Sequence, residues 1–353
     1  MGRAYAWRVV SGPAENGRLR VGVVGAGSWG TTAAMVCAGV ADAPAPSLWA
    51  RSVDVVQEIN TRHTNSKYLA GAVLPASIHA TADIAELVAA SDLIVMAVPS
   101  QGFRGILEMV AAAGASTPKF ASKPVVSLAK GLESATRARM SEIAKAVCPT
   151  NPFAVLTGPN LAGEIIVGQP TASVVASTNE QVALAVQSAF NAPRFRVYVN
   201  DDVVGCEVAG VVKNVIALAV GVAEGFGLGH NSRATLITRG LAEMTRLGVA
   251  LGGQSETFAG LAGMGDLIAT CSSAQSRNNS VGRRLGRGES LAEIVASMSM
   301  VAEGVKSAVS VLELAQLNGV SMPIVEQVVN VCESNASVTD VMMALLGRSV
   351  GSE

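Results

Sequence analysis

The chain carries only three histidines (His63, His79, His230) and five cysteines (Cys37, Cys148, Cys206, Cys271, Cys332), all far apart in sequence. No two cysteines form a CxxC pair and their number is odd, so neither a zinc cluster nor a disulfide framework is expected. Unpaired thiols suit a reducing compartment, which makes a cytoplasmic location the expectation. Charge is scarce too: charged residues are 15% of the chain, and 26 basic against 27 acidic side chains leave a formal net charge of -1. Without a basic excess, no global field draws in nucleic acid. Aromatic residues supply only 4%, so burial falls mainly to Ala, Val and Leu.

Targeting signals are missing as well. Residues 1–18 lack the apolar core of a secretory signal and read as an extension outside the fold. The one run long enough to suggest a membrane span, 208–229, is interrupted by Lys213, Asn214 and Glu224. It is expected to be a buried helix of a globular domain, with no stable membrane insertion.

What the chain does have is size and apolar content. At 353 residues, half of them hydrophobic, it exceeds what one core usually organises, so two domains are expected. From residue 19, short β-branched runs alternate with longer Ala-rich or amphipathic runs, the pattern of a parallel sheet covered by helices. The strand candidates are RVGVVG (20–25), SLWA (47–50), DLIVMAV (92–98), PVVSLA (124–129), FAVLT (153–157), TASVVAS (171–177) and RVYVN (196–200). Past residue 204 strand signals stop and helical patterns joined by Gly-rich or Ser/Asn-rich turns take over. The expected architecture is therefore α/β, with a Rossmann-type doubly wound sheet at residues 19–204 and an all-helical domain at 205–353.

The first strand runs straight into Gly25-Ala26-Gly27-Ser28-Trp29-Gly30 and then into small residues. This is the GxGxxG fingerprint in its required context. Gly25 permits the tight turn, Gly27 lets the backbone approach a pyrophosphate, and Gly30 lets helix and strand pack closely. The helix N-terminus then offers free N–H groups to the anion. After the second strand stands Arg51, where an NAD-specific enzyme carries an acid. A guanidinium can pair with a 2′-phosphate, so NADP is expected to be accepted, with NAD left open.

Four later segments bring polar groups into apolar surroundings. AKGLE places Lys130 at the carboxyl edge of a strand, where open α/β sheets bind ligands. TGPN offers a turn containing Gly158 and Asn160 at the end of another strand. KNVIALA sets Lys213 and Asn214 in an otherwise apolar helix, and a buried lysine is suited to acid–base work. GLAGMGDLIATC puts Asp266 after a glycine-rich loop, and SRN groups Ser276, Arg277 and Asn278 before a helix, a plausible anion clamp.

In that order, GAGSWGT, AKGLE, TGPN, KNVIALA, ITRGLAEM, TFAGLAGMGDLIATC, SRN and VAEGV resemble the bacterial-type NAD(P)-dependent glycerol-3-phosphate dehydrogenase family, over about residues 20–335. The resemblance implies interconversion of sn-glycerol 3-phosphate and dihydroxyacetone phosphate by hydride transfer, feeding phospholipid synthesis. It implies Lys213 as the proton donor or acceptor, and a substrate pocket of Lys130, Gly158, Asn160, Lys213, Asp266, Ser276, Arg277 and Asn278. It implies cofactor contacts from Ser28, Trp29, Arg51, Lys130, Ala162, Arg277, Val301 and Glu303 beside the glycine loop. Asn214 and Thr270 are second-tier candidates, and a homodimer is expected. Gly163 departs from the family, where Lys or Arg is common, and Asn160 stands where Ser or Thr is common. Two other readings remain at this stage: a related dehydrogenase acting on a hydroxy acid, and a silent nicotinamide-binding sensor.

Overall fold

The computed structural model describes residues 18–298 and 302–333. The expected extension at 1–18 falls almost wholly outside these, and Val301 lies outside them too. The chain begins with β1 (Val21–Val24), α1 (Ser28–Ala38), β2 (Ser47–Trp49), α2 (Val53–Arg62), β3 (His79–Thr81), α3 (Ile84–Ala90), β4 (Leu93–Met96) and α4 (Ser100–Gly114). It continues through β5 (Val125–Ser127), α5 (Met140–Val147), β6 (Phe153–Thr157), α6 (Ala162–Ile166), β7 (Thr171–Ala176), α7 (Glu180–Phe190) and β8 (Phe195–Asn200).

These strands form one sheet in the order β3-β2-β1-β4-β5-β6-β7-β8. The order reverses between β1 and β4, the switch point at which a doubly wound sheet opens a crevice. β1 and β4 are buried at every position, as strands covered by helices on both faces must be. Val23 and Val95 join the core on one face, Val24, Ile94 and Met96 that on the other. The sheet is parallel as expected except at one pairing, where β7 runs antiparallel to β6. Their connection contains one short helix, the five-residue α6, where a parallel return is usually made by a longer helix that packs on the sheet. β3 was not anticipated from sequence. It has three residues, the first exposed, and so no apolar run to show itself.

The remaining elements are helical: α8 (Val203–Gly225), α9 (His230–Ala250), α10 (Ser255–Ala259), one π-helical turn (Leu261–Gly265), α11 (Asp266–Ser272), α12 (Arg277–Gly286), α13 (Leu291–Ala296), α14 (Glu303–Leu317) and α15 (Pro323–Glu333). Asp202 caps α8 by accepting from the Gly205 N–H, so residue 204 falls within the first turn of that helix. α8 is the central post: α9, α11, α12, α14 and α15 all pack on it. It is long and apolar enough to cross a membrane, but nearly all of it is buried among those neighbours. α12 crosses at backbone contact, since a Cβ on Gly282 would collide with the Leu218 carbonyl oxygen and one on Gly221 with that of Asn279.

Gly282→Ala is expected to lower the unfolding free energy by about 2–3 kcal/mol, because backbone rather than a flexible side chain must move. Gly105→Ala, on the open face of α4 with nothing near its Cβ, should instead raise it by about 0.5–1 kcal/mol. Urea denaturation of the two variants checks the contrast.

Candidate active site

The glycine-rich turn lies where β1 ends. Gly25 has φ +115°, a conformation that a side chain strains. A Cβ on Gly30 would strike the Gly25 carbonyl oxygen, so Gly30 is fixed by the approach of α1 to its own strand. Gly27, the N-cap of α1, is different: a Cβ there meets nothing within 4 Å. The protein itself does not demand glycine at 27, and a ligand lying against that turn does. No side chain caps α1, so its first N–H groups are left for an anion. The cradle therefore fits a dinucleotide pyrophosphate.

Other cofactor candidates gather around this turn. The Ser28 hydroxyl donates to the Tyr68 carbonyl at 2.6 Å, leaving its backbone N–H as the group that faces outward. Trp29 packs against Phe195, and its indole N–H is buried with no partner. Arg51 is exposed just beyond β2. Ala162 opens α6, which packs on α1.

Deeper in the crevice, two lysines from opposite sides share one carboxylate. Lys130, carried past the end of β5, donates to Asp266 Oδ2 at 2.6 Å and to the Gly158 carbonyl at 2.9 Å. Lys213, on α8, donates to Asp266 Oδ1 at 2.7 Å and to Thr270 Oγ1 at 2.7 Å. Thr270 passes its own proton to the Asp266 carbonyl oxygen at 2.6 Å. Side-chain exposure is 15% for Lys130, 7% for Lys213 and 3% for Asp266, so these charges meet largely out of water. Each ammonium has three donors and spends two, leaving one apiece for a ligand. Burial pushes the Lys130 ammonium down to about 8; Asp266 opposes that shift and the Lys213 charge reinforces it.

The SRN segment joins from α12. Ser276 caps that helix through the Asn279 N–H at 3.2 Å, while Asn278 donates to Asn214 Oδ1 at 2.9 Å and accepts from the Gly304 N–H at 2.9 Å. Asn214 reaches the Lys130 carbonyl at 3.3 Å, so α8, α12, α14 and the Lys130 segment are tied in one polar chain. Arg277 is exposed at the first turn of α12. Glu303 opens α14. Burial holds its carboxyl above the usual range, against the pull of Arg277, the Ser100 N–H and the two lysines. Asn160 donates to Ser173 Oγ at 2.9 Å, and Ser173 in turn donates to the Thr157 carbonyl at 2.8 Å. At Gly163 a side chain would meet the end of Gln275.

Sequence reasoning missed the brace behind the lysines. Glu207 on α8 accepts from Arg139 Nη1 at 3.0 Å and from the Ser141 N–H at 2.8 Å. It fastens α8 to the N-terminus of α5. Glu207 is one more charge in an apolar helix, the signal that singled out Lys213, but nothing in its spacing named a partner.

A doubly wound sheet with a pyrophosphate cradle at its switch point, facing a buried lysine–carboxylate cluster on a helical partner, defines a two-domain nicotinamide-dependent oxidoreductase. Comparison with known proteins narrows the class. The family profile for NAD-dependent glycerol-3-phosphate dehydrogenase N-terminus matches residues 20–183, and that for the C-terminus matches 202–343. Glycerol-3-phosphate dehydrogenase [NAD(P)+] 2 of Sphingopyxis alaskensis is 53% identical over 95% of this chain and 98% of its own. The Corynebacterium diphtheriae enzyme is 51% identical over 95% of this chain and 100% of its own. The crystal structure of glycerol-3-phosphate dehydrogenase from Coxiella burnetii superposes with a TM-score of 0.87 at 34% identity, covering 94% of this chain and 99% of its own. The chain belongs to the NAD-dependent glycerol-3-phosphate dehydrogenase family.

Lysine NMR should show Lys130 titrating near 8, protonated below that value and neutral above it. Asp266→Asn removes the opposing charge and should move the midpoint to lower pH. A midpoint that stays put or rises would show that Asp266 does not hold the proton there.

Proposed function

We propose that the protein interconverts sn-glycerol 3-phosphate and dihydroxyacetone phosphate with NADP or NAD, in the cytoplasm and as a homodimer, supplying glycerol 3-phosphate for phospholipid synthesis. The observation that carries the chemistry is the pair of lysines on Asp266, each with one donor unspent. Five free thiols, four of them buried, support a reducing compartment. Partly exposed apolar side chains on α9, Leu241 and Val249 among them, support a dimer face. The division of labour we adopt gives residues 19–204 the cofactor and 205–353 the substrate and the dimer contact.

The cofactor supplies or accepts the hydride. When a ketone is reduced, negative charge develops on its oxygen, and the task of the protein is to meet that charge and deliver a proton. Lys213 suits both needs: it is buried, oriented by Thr270 and Asp266, and has a donor free. Asp266 keeps the ammonium directed and compensates its burial, and Lys130 adds positive potential from the sheet side. We assign the substrate phosphate to Arg277 with Ser276 and Asn278, so that binding energy at that end fixes the carbonyl at the other. Gly158 and Asn160 line the turn that holds Lys130. Arg51 answers the 2′-phosphate, with Gly25, Gly27, Ser28, Trp29, Gly30, Ala162 and Glu303 around the rest of the cofactor.

Lys213→Met keeps most of the side-chain volume while removing the charge and the proton. Turnover of dihydroxyacetone phosphate, followed by absorbance of the reduced nicotinamide, should fall on the order of 10²- to 10⁴-fold, with cofactor affinity little changed. Near-parent turnover would sink the mechanism. Arg51→Asp should shift the ratio of kcat/KM for NADPH over NADH towards NADH; an unchanged ratio would mean that Arg51 is a solvated bystander.

A further inference from the structure

We infer that Asn65 is the positioning residue of the pyrophosphate cradle: it turns the Ala26–Gly27 peptide so that the Gly27 N–H faces the ligand. The inference rests on the reading of Gly25–Gly30 as that cradle. Asn65 lies between α2 and β3 and is fully buried, at 0% exposure. Its Nδ2 donates to the Ala26 carbonyl at 2.9 Å and to Thr31 Oγ1 at 2.9 Å, spanning the turn from its entry to the first turn of α1.

The orientation of the amide follows from chemistry. The Ala26 carbonyl can only accept, so the nitrogen of Asn65 must face it. In a trans peptide the C=O and N–H point in opposite directions. Drawing the Ala26 oxygen into the protein therefore directs the Gly27 N–H out of it, at a residue whose Cβ position is open. That N–H has no acceptor among the described residues. Without the tie, the peptide could rotate and present an oxygen to an anion instead.

Asn65 is itself rigidly held. Its backbone carbonyl accepts from the Leu69 N–H at 2.8 Å and the Tyr68 N–H at 3.2 Å, closing a turn. The same turn receives the Ser28 hydroxyl at the Tyr68 carbonyl, a second tie to the cradle. Asn65 Oδ1 is buried with no partner.

Calorimetric titration of the full chain with NADPH and, separately, with adenosine 2′-monophosphate tests this, since only NADPH carries the pyrophosphate. Asn65→Leu, similar in size but lacking the donor, should weaken NADPH by about 10-fold or more while leaving adenosine 2′-monophosphate within about 2-fold. Asn65→Asp, which sets an acceptor against the Ala26 oxygen, should lose at least as much and stands in if the leucine variant does not fold. Equal weakening of both ligands, or parent-like NADPH binding in a folded variant, would overturn the inference. Gly27→Val is the control: if it too binds NADPH like the parent, the cradle reading fails. If it loses NADPH while Asn65→Leu keeps it, only the role of Asn65 fails.

Discussion

Everything in the crevice turns on the Asp266 carboxylate, whose two oxygens are each claimed by a lysine from a different part of the chain. Two ammonium groups brought this close in a poorly hydrated place repel one another and resist desolvation, and one shared carboxylate is what makes the arrangement tolerable. The effect shows on Lys130, where burial and the Lys213 charge win against Asp266 and leave the ammonium easy to deprotonate. Asp266 must therefore be held rigidly. It opens α11 directly after the π-helical turn, and Thr270 one turn later locks both it and Lys213.

That carboxylate also joins the two halves of the molecule. Lys130 comes from the edge of the sheet that holds the dinucleotide cradle, and Lys213 from the central post of the helical region. The Asn214–Lys130 contact and the Glu207–Arg139 brace repeat the same connection above and below it. Burial holds the Glu207 carboxyl above the usual carboxylate range, with Arg139 and Ser141 opposing. Breaking such a buried pair by removing one partner is costly. The cost falls on the register between the lysines, so the brace serves the geometry of the site as well as its stability.

Features that a local pattern dictates were legible in the sequence. Short apolar runs gave seven of the strands, and GxGxxG gave the cradle because its six residues follow directly on a strand and lead into a helix. Lys213 stood out as a charge in an apolar helix, and the ordered motifs named its companions. What escaped depends on pairing across the chain. β3 pairs with β2 at the edge of the sheet, and β7 turns back against β6 with a helix of only five residues between them. Asn65 and Glu207 find their partners 39 and 68 residues away in sequence, and no spacing rule reaches that far. An isolated asparagine in a loop between α2 and β3 reads as a turn residue, and only the fold shows what its amide touches.

The balance of charge in the crevice explains why so many cations can gather in a nearly neutral protein. Lys130, Lys213 and Arg277 face Asp266 and Glu303, which leaves a small positive excess when all are ionised. Burial raises the Glu303 carboxyl, so protonating that group makes the crevice still more positive. One donor on each lysine is unspent among the described side chains, and the guanidinium of Arg277 is exposed, with Glu303 as the carboxyl that feels its charge. Under the function proposed above, a phosphate at the Arg277 end and an oxygen gaining charge at the lysine end would supply negative charge at two points. A ligand with one anionic end and one carbonyl answers both at once, whereas a simple phosphate answers only the first. On the proposed assignment, selectivity for a phosphorylated ketone would follow from where the unspent donors stand.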